Sequence, residues 1–140
     1  TIGEALLEPT RIYVKPVMEM LDSGIDLKAM VHITSGGFCN LNRVECDNIR
    51  FLIDTLQPVP EIFNLIQDRG GVSEAEMFEV FNMGTGFCLV VEGTNEVEAV
   101  TEICKNNDLS CQLIGQVEGC QGKEVSLPQK QLTGKGSRFT

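Results

Sequence analysis

Leu27-Lys28-Ala29-Met30-Val31-His32-Ile33-Thr34-Ser35-Gly36-Gly37-Phe38 runs from an apolar stretch into two hydroxyls and two adjacent glycines. Residues 27–31 read as a buried strand, with strand character from about residue 25 to residue 33. Paired glycines let backbone N–H groups approach a ligand with no Cβ in the way. A loop of this kind after a strand is a common cradle for phosphate and other anions. Asn40 and Arg43 follow closely, on what reads as a short helical turn, and a guanidinium fork suits phosphate oxygens. A Thr-Ser-Gly-Gly stretch is also an ordinary tight turn. The bend by itself leaves both readings open.

Upstream, residues 1–12 read as an extended lead-in with turn chemistry at Pro9-Thr10-Arg11. Residues 15–21 read as a helix, with Pro16 in its first turn and Gly24 past its end. Val14, Val17, Met18 and Leu21 have helical spacing and are expected to face the core. Downstream, residues 48–54 alternate as a second strand. A helix is expected from Pro60 to about Asp68, closed by Gly70-Gly71. Ser73-Glu74-Ala75-Glu76 has the form of a capping box that starts a short helix to about Phe81. Glu74, Glu76 and Glu79 on that helix resemble catalytic carboxylates, though Glu76 suits the capping role better. Residues 85–92 read as a third strand. Thr94 is expected to cap a helix to about Asn107, buried through Val97, Val100, Ile103 and Cys104. Residues 111–117 and 123–127 read as two further strands.

Strands alternating with helices point to the α/β class, a single compact domain with helices packed on a mixed sheet of four to six strands. The domain is expected over residues 1–127. From Pro128 to residue 140 the chain is polar and glycine-bearing, and a disordered tail is expected.

A length of 140 residues suits one domain, and 42% hydrophobic content is enough for a packed core. Twenty acidic side chains against 11 basic ones give a net charge of −9. That field disfavours nucleic acid and anionic membranes as partners. A phosphorylated small molecule would need a local cluster of donors. No apolar run reaches the length of a membrane-crossing helix. The chain opens on Thr1 rather than methionine, which reads as a piece of something longer. Cys39, Cys46, Cys88, Cys104, Cys111 and Cys120 show no C-x-x-C spacing, so a zinc ribbon is not expected. They read as reduced thiols of a cytoplasmic protein, several of them core residues.

His32 is the one histidine, at the end of the first strand. It reads either as a hydrogen-bonded core residue or as a donor and proton shuttle in a reaction. Asn82 stands in Asn82-Met83-Gly84-Thr85-Gly86, where it either binds a ligand or satisfies the turn. Arg11, Tyr13 and Lys15 fall on one side if extended, and otherwise form a solvated basic face.

Several runs carry more than local structure. They are Leu6-Leu7-Glu8-Pro9-Thr10-Arg11-Ile12-Tyr13-Val14-Lys15, the bend from His32 to Phe38 with Asn40 and Arg43-Val44, Pro60-Glu61-Ile62-Phe63, Glu76-Met77-Phe78, Phe81-Asn82-Met83-Gly84-Thr85-Gly86-Phe87, and Leu113-Ile114-Gly115-Gln116-Val117. In order and spacing, over about residues 1–118, the chain resembles the C-terminal domain of the phosphoribosylformylglycinamidine cyclo-ligase family, the aminoimidazole ribonucleotide synthetases. Where the family usually has three glycines after the threonine, this chain has Ser35 first. Serine there fits only if the position does not need a positive φ. In that case its hydroxyl is a further phosphate donor.

The resemblance implies a two-domain ligase of de novo purine biosynthesis, homodimeric at full length. It would use ATP and Mg²⁺ to close formylglycinamidine ribonucleotide into aminoimidazole ribonucleotide, releasing ADP and phosphate. An N-terminal domain, absent from these residues, would carry the dimer barrel and most of the ATP and metal site. The present domain would be inactive alone and would supply the substrate-phosphate wall of the cleft. Thr34, Ser35, Gly36, Gly37, Asn40, Arg43 and Asn82 would bind substrate. His32 would be the catalytic donor, and none of these residues would hold metal. Two other readings compete. One is a related enzyme of the same superfamily, like selenophosphate synthetase, thiamine-monophosphate kinase or the hydrogenase-maturation dehydratase. The other is a non-catalytic binding domain.

Overall fold

The structure, a computed structural model, describes all 140 residues. In chain order the elements are α1 (Ile2–Leu7), α2 (Val14–Asp22), β1 (Leu27–His32), a 3-10 turn (Gly37–Arg43), β2 (Ile49–Ile53), α3 (Glu61–Gly70), α4 (Glu74–Val80), β3 (Phe87–Val91), α5 (Thr94–Asn106), β4 (Gly115–Gly119), β5 (Lys123–Leu127), a second 3-10 turn (Pro128–Lys130), β6 (Leu132–Lys135) and β7 (Arg138–Phe139). The α/β class and the mixed sheet are as the sequence implies. The strands divide between a two-stranded ladder, β1 with β3, and a five-stranded sheet ordered β4-β2-β5-β6-β7. In the larger sheet β2 runs parallel to β5, while the other pairs are antiparallel.

The chain forms two compact units, each described by itself. The first comprises Thr1–Met30 and Leu89–Leu113. Its core is Met20 of α2 with Val100 and Cys104 of α5, one turn apart, joined by the half-buried Leu27, Leu89 and Ile103. Burying a side chain such as Met20 contributes about 1.5–3 kcal/mol. On α2 the buried residues are Pro16 and Met20. Val14, Met18 and Leu21, expected in the core, are exposed at 69%, 50% and 47%. Both sets keep helical spacing, so α2 carries two apolar stripes. Periodicity finds a face without saying which one meets α5. The expected extended lead-in is in part helical. In α1, Thr1 and Glu4 form a complete capping box, and no residue is buried. Within α5 the N-cap position falls on Gly93, so Thr94 is the first helical residue rather than the cap. Lys15 sits on α2 and is exposed opposite Glu19, Arg11 is exposed and pairs with Glu8, and Tyr13 between them is half-buried, so of the expected face only the two cations are solvated.

The second unit comprises Val31–Cys88 and Ile114–Thr140. Its core holds Phe38, Leu41, Phe51, Ile53, Met77, Phe78, Val125, Leu127 and Phe139. Alternation in β2 places Phe51 and Ile53 inward. Across the ladder Arg50 donates to Glu124 of β5 at 2.6 Å and to Glu118 of β4 at 3.1 Å. The expected strand over 111–117 forms later, at Gly115–Gly119, starting four residues and ending two residues further on. The expectation of a disordered tail from Pro128 is corrected, because residues 132–135 and 138–139 complete the sheet. All six cysteines are free thiols. Burial raises the Cys88 thiol to about 12, and burial with the nearby Glu79 charge raises Cys39 to about 11, so both remain protonated core residues.

Candidate functional site

β1 delivers the chain into the bend with alternate faces. Leu27, Ala29 and Val31 point one way, while Lys28, Met30 and His32 are exposed. The strand is therefore half-buried rather than fully buried. The Ile33 N–H donates to the Gly86 carbonyl at 2.9 Å, and the Gly37 N–H donates to the Thr34 carbonyl at 3.0 Å, closing a tight turn. Gly36 and Gly37 take positive φ values of 102° and 50°, where a side chain is disfavoured. Ser35 is not among the positive-φ residues, so serine fits its position without strain.

Gly37 is required for a second reason. A Cβ there would lie 1.9 Å from the Phe78 carbonyl oxygen and 2.9 Å from that of Phe81. The underside of the bend is thus clamped to the end of α4 and to the loop that follows it. Gly37 is buried and its amide is already engaged, so it shapes the bend rather than presenting an N–H to a ligand.

The upper side differs. Thr34 and Ser35 are exposed, and Arg43 is exposed at the end of the 3-10 turn. A Cβ on Gly36 would meet Asn40 Oδ1 at 3.1 Å and Arg43 Nη2 at 3.5 Å. The bare Cα therefore sits beside an amide oxygen and a guanidinium. Asn40 is 1% exposed. Its Nδ2 donates to the Thr34 carbonyl at 3.3 Å, while Oδ1 is buried without a partner. A buried acceptor left unpaired is costly and is normally satisfied. His32 is exposed, with its ring 5.9 Å from that of Phe87. The core reading of His32 is therefore set aside.

The structure brings the loop over residues 81–86 against the bend, through the Phe81 and Gly86 carbonyls. Within it Asn82 is half-buried, and its Oδ1 accepts from the Gly84 N–H at 3.0 Å. That is the turn-satisfying geometry. Two of the three glutamates on α4 have side chains engaged in structural contacts, and Glu76 takes part in the cap through its backbone N–H. Ser73 Oγ accepts from the Glu76 N–H, Glu74 pairs with Lys130 at 2.6 Å, and Glu79 accepts from the Phe139 N–H at 2.7 Å.

Sequence reasoning missed Asn42. It lies on the 3-10 turn, and its Nδ2 donates to the carbonyls of Gly136 at 3.1 Å and Gly134 at 3.4 Å. The β6–β7 hairpin therefore props the turn that carries Asn40 and Arg43. Nothing in the local sequence signals a partner so distant along the chain. No three His, Cys, Asp or Glu side chains come together in a way that could hold a metal ion. No helix is long and apolar enough to cross a membrane.

Comparison with known proteins bears on the same residues. The family model described as AIR synthase related protein, C-terminal domain, matches residues 1–128. The chain is 43% identical over 118 residues to a protein of Methanococcus maripaludis (strain C7) named phosphoribosylformylglycinamidine cyclo-ligase, covering 84% of this chain and 33% of that protein. Proteins of the same name in Bacillus licheniformis and Methanocaldococcus jannaschii are 46% identical over 123 residues and 45% over 119. Those stretches cover 86% and 84% of this chain, and 35% and 33% of the respective relatives. The chain thus spans about a third of the length of the curated relatives it matches.

Proposed function

This chain belongs to the family of AIR synthase related C-terminal domains, and from that membership we propose that it is the C-terminal domain of a phosphoribosylformylglycinamidine cyclo-ligase. In this reading it supplies the wall that grips the 5′-phosphate of formylglycinamidine ribonucleotide. The observation that carries the proposal is the upper side of the bend. Two exposed hydroxyls, a glycine with no side chain and an arginine lie together there, above a clamp that holds their spacing. Arg43 is the charged donor, and charge-assisted hydrogen bonds are the stronger kind. Asn40 Oδ1, unpaired and buried, suits an N–H or O–H of the substrate rather than the phosphate itself. The cyclo-ligase names of the three relatives favour this reading over a selenophosphate synthetase-like or thiamine-monophosphate kinase-like one.

The reaction would turn the formamide oxygen into a leaving group by phosphorylation, after which the tethered amidine nitrogen closes the ring. ATP supplies the phosphoryl group when bound. Nucleotide and Mg²⁺ would be held mainly by the rest of a full-length protein, homodimeric and cytoplasmic. The domain's own work is to fix the substrate's anionic end, so that attack is intramolecular and oriented. His32, exposed at the strand end, would donate to the substrate or pass a proton during closure.

Calorimetric titration of formylglycinamidine ribonucleotide into the 140-residue chain tests this. Arg43→Ala, at an exposed position, should weaken binding about tenfold or more, since hydrogen bonds to charged groups contribute about 1.5–3 kcal/mol. Gly36→Glu should abolish binding. Unchanged affinity in both variants would remove the bend from the site.

A further inference from the structure

The end of α5 is shaped by an αL reversal. Asp108 has φ 55°, its N–H donates to the Lys105 carbonyl at 3.2 Å, and the Leu109 N–H donates to the Cys104 carbonyl at 2.9 Å. That pair of bonds is the Schellman pattern, which turns the chain back along the last helical turn. Leu109 and Cys111 consequently pack on the cluster of Met20, Val100 and Cys104. Cys104 is 7% exposed and Cys111 is half-buried. The two thiols therefore lie in one small apolar cluster.

We propose that Cys104 and Cys111 are a peroxide-sensitive thiol pair that closes to a disulfide. The reversal after α5 brings both side chains into one cluster, and Cys111, the more exposed of the two, is the one an oxidant meets first. Burial, and secondly the neighbouring Cys111, push the Cys104 thiol up to about 12, which keeps it protonated and in reserve. The Cys111 thiolate attacks one oxygen of the peroxide and the O–O bond breaks. Cys111 becomes a sulfenic acid and the other oxygen leaves as hydroxide, which takes up a proton as water. Cys104 then gives up its proton and attacks the sulfenic sulfur. The S–O bond breaks, its oxygen leaves as a second water, and the S–S bond forms. Two thiols and one hydrogen peroxide give one disulfide and two waters, the sulfurs being oxidised and the peroxide oxygens reduced. The loop so closed is short, so the bond pins the end of α5 locally and restrains the unfolded chain less than a long-range crosslink would.

The test treats the 140-residue chain with hydrogen peroxide, alkylates the remaining thiols after unfolding, and reads intact mass and linked peptides. Closure should leave the chain with two fewer alkyl groups, on top of roughly 2 Da for the two hydrogens lost, and join the segments carrying Cys104 and Cys111. Cys111→Ala, which keeps the packing apolar, and Cys104→Ser should each abolish the link, whereas Cys46→Ser should leave it intact. Three results would overturn the proposal: both thiols still alkylated in the treated chain, a link that survives Cys111→Ala, or Cys111 driven to the sulfinic acid with Cys104 still free.

Discussion

The two ends of the chain contrast. The first 21 residues hold seven exposed large apolar side chains: Ile2, Leu6, Leu7, Ile12, Val14, Met18 and Leu21. The last 13 are polar in composition, yet they complete a sheet and bury Phe139 to 5% exposure. Hydropathy would have sorted them the other way. Burial follows from what each segment finds to pair with. β6 finds the open edge of β5, and Gly134 leaves room for the Phe139 ring, which would lie 2.7 Å from a Cβ at that position. Charged contacts then fasten the hairpin: Lys130 to Glu74, the Phe139 N–H to Glu79, and Lys135 to Glu124 at 3.4 Å. At the other end only the narrower stripe of α2 meets α5.

The hairpin is the place to break this contrast. Phe139→Ala should destabilise the chain by about 3–5 kcal/mol, the range for emptying a buried aromatic site. Urea unfolding measures it, and a loss below about 1 kcal/mol would mean that the tail adds little to the core. Glu79→Ala should cost about 1–3 kcal/mol, because it strands the Phe139 amide in a partly buried place. The same unfolding curves report it. If Glu79→Ala is silent while Phe139→Ala is severe, apolar packing alone anchors the tail.

Glu124 sharpens the electrostatic side. The Arg50 hydrogen bond, opposed by burial and helped by Lys135, holds its carboxyl below the usual 4.5. A carboxylate with a depressed folded pKa stabilises fully above its unfolded value, and that increment is lost as pH falls through the folded value. Wild type should therefore lose stability below about pH 4.5, and Glu124→Gln should lose less over the same acid range. Parallel pH profiles for the two would discount the charge pair. The smallest effect is expected at the apolar end. Met18→Ser, at an exposed position, should stay within about 0.5 kcal/mol of wild type in the same denaturation assay. A loss of several kcal/mol there would mean that the outward stripe of α2 is packed in solution.

The sequence made β2, α3, α5 and β5 legible because each combines a clear period with a stop signal, such as the glycine at the end of α3. The paired glycines marked the bend, and the residues after it read as a short helical turn, which the structure shows as a 3-10 turn. The sequence could not say which stripe of α2 is buried, since both are apolar. Nor could it find the hairpin, whose order comes from ladder bonds and distant carboxylates rather than from its own composition. In the site, residue types marked Thr34, Ser35, Gly36 and Arg43. That Gly37 is occupied by its own turn, and that Asn42 leans on the hairpin, depends on contacts with segments far along the chain.

The contact between the Gly37 Cα and the Phe78 carbonyl has a consequence for anyone redesigning this loop. Even alanine at residue 37 would have to displace main chain, so the floor of the bend cannot be varied independently of α4. Libraries that vary this loop should leave Gly37 fixed and randomise Thr34, Ser35 and Arg43, which are exposed.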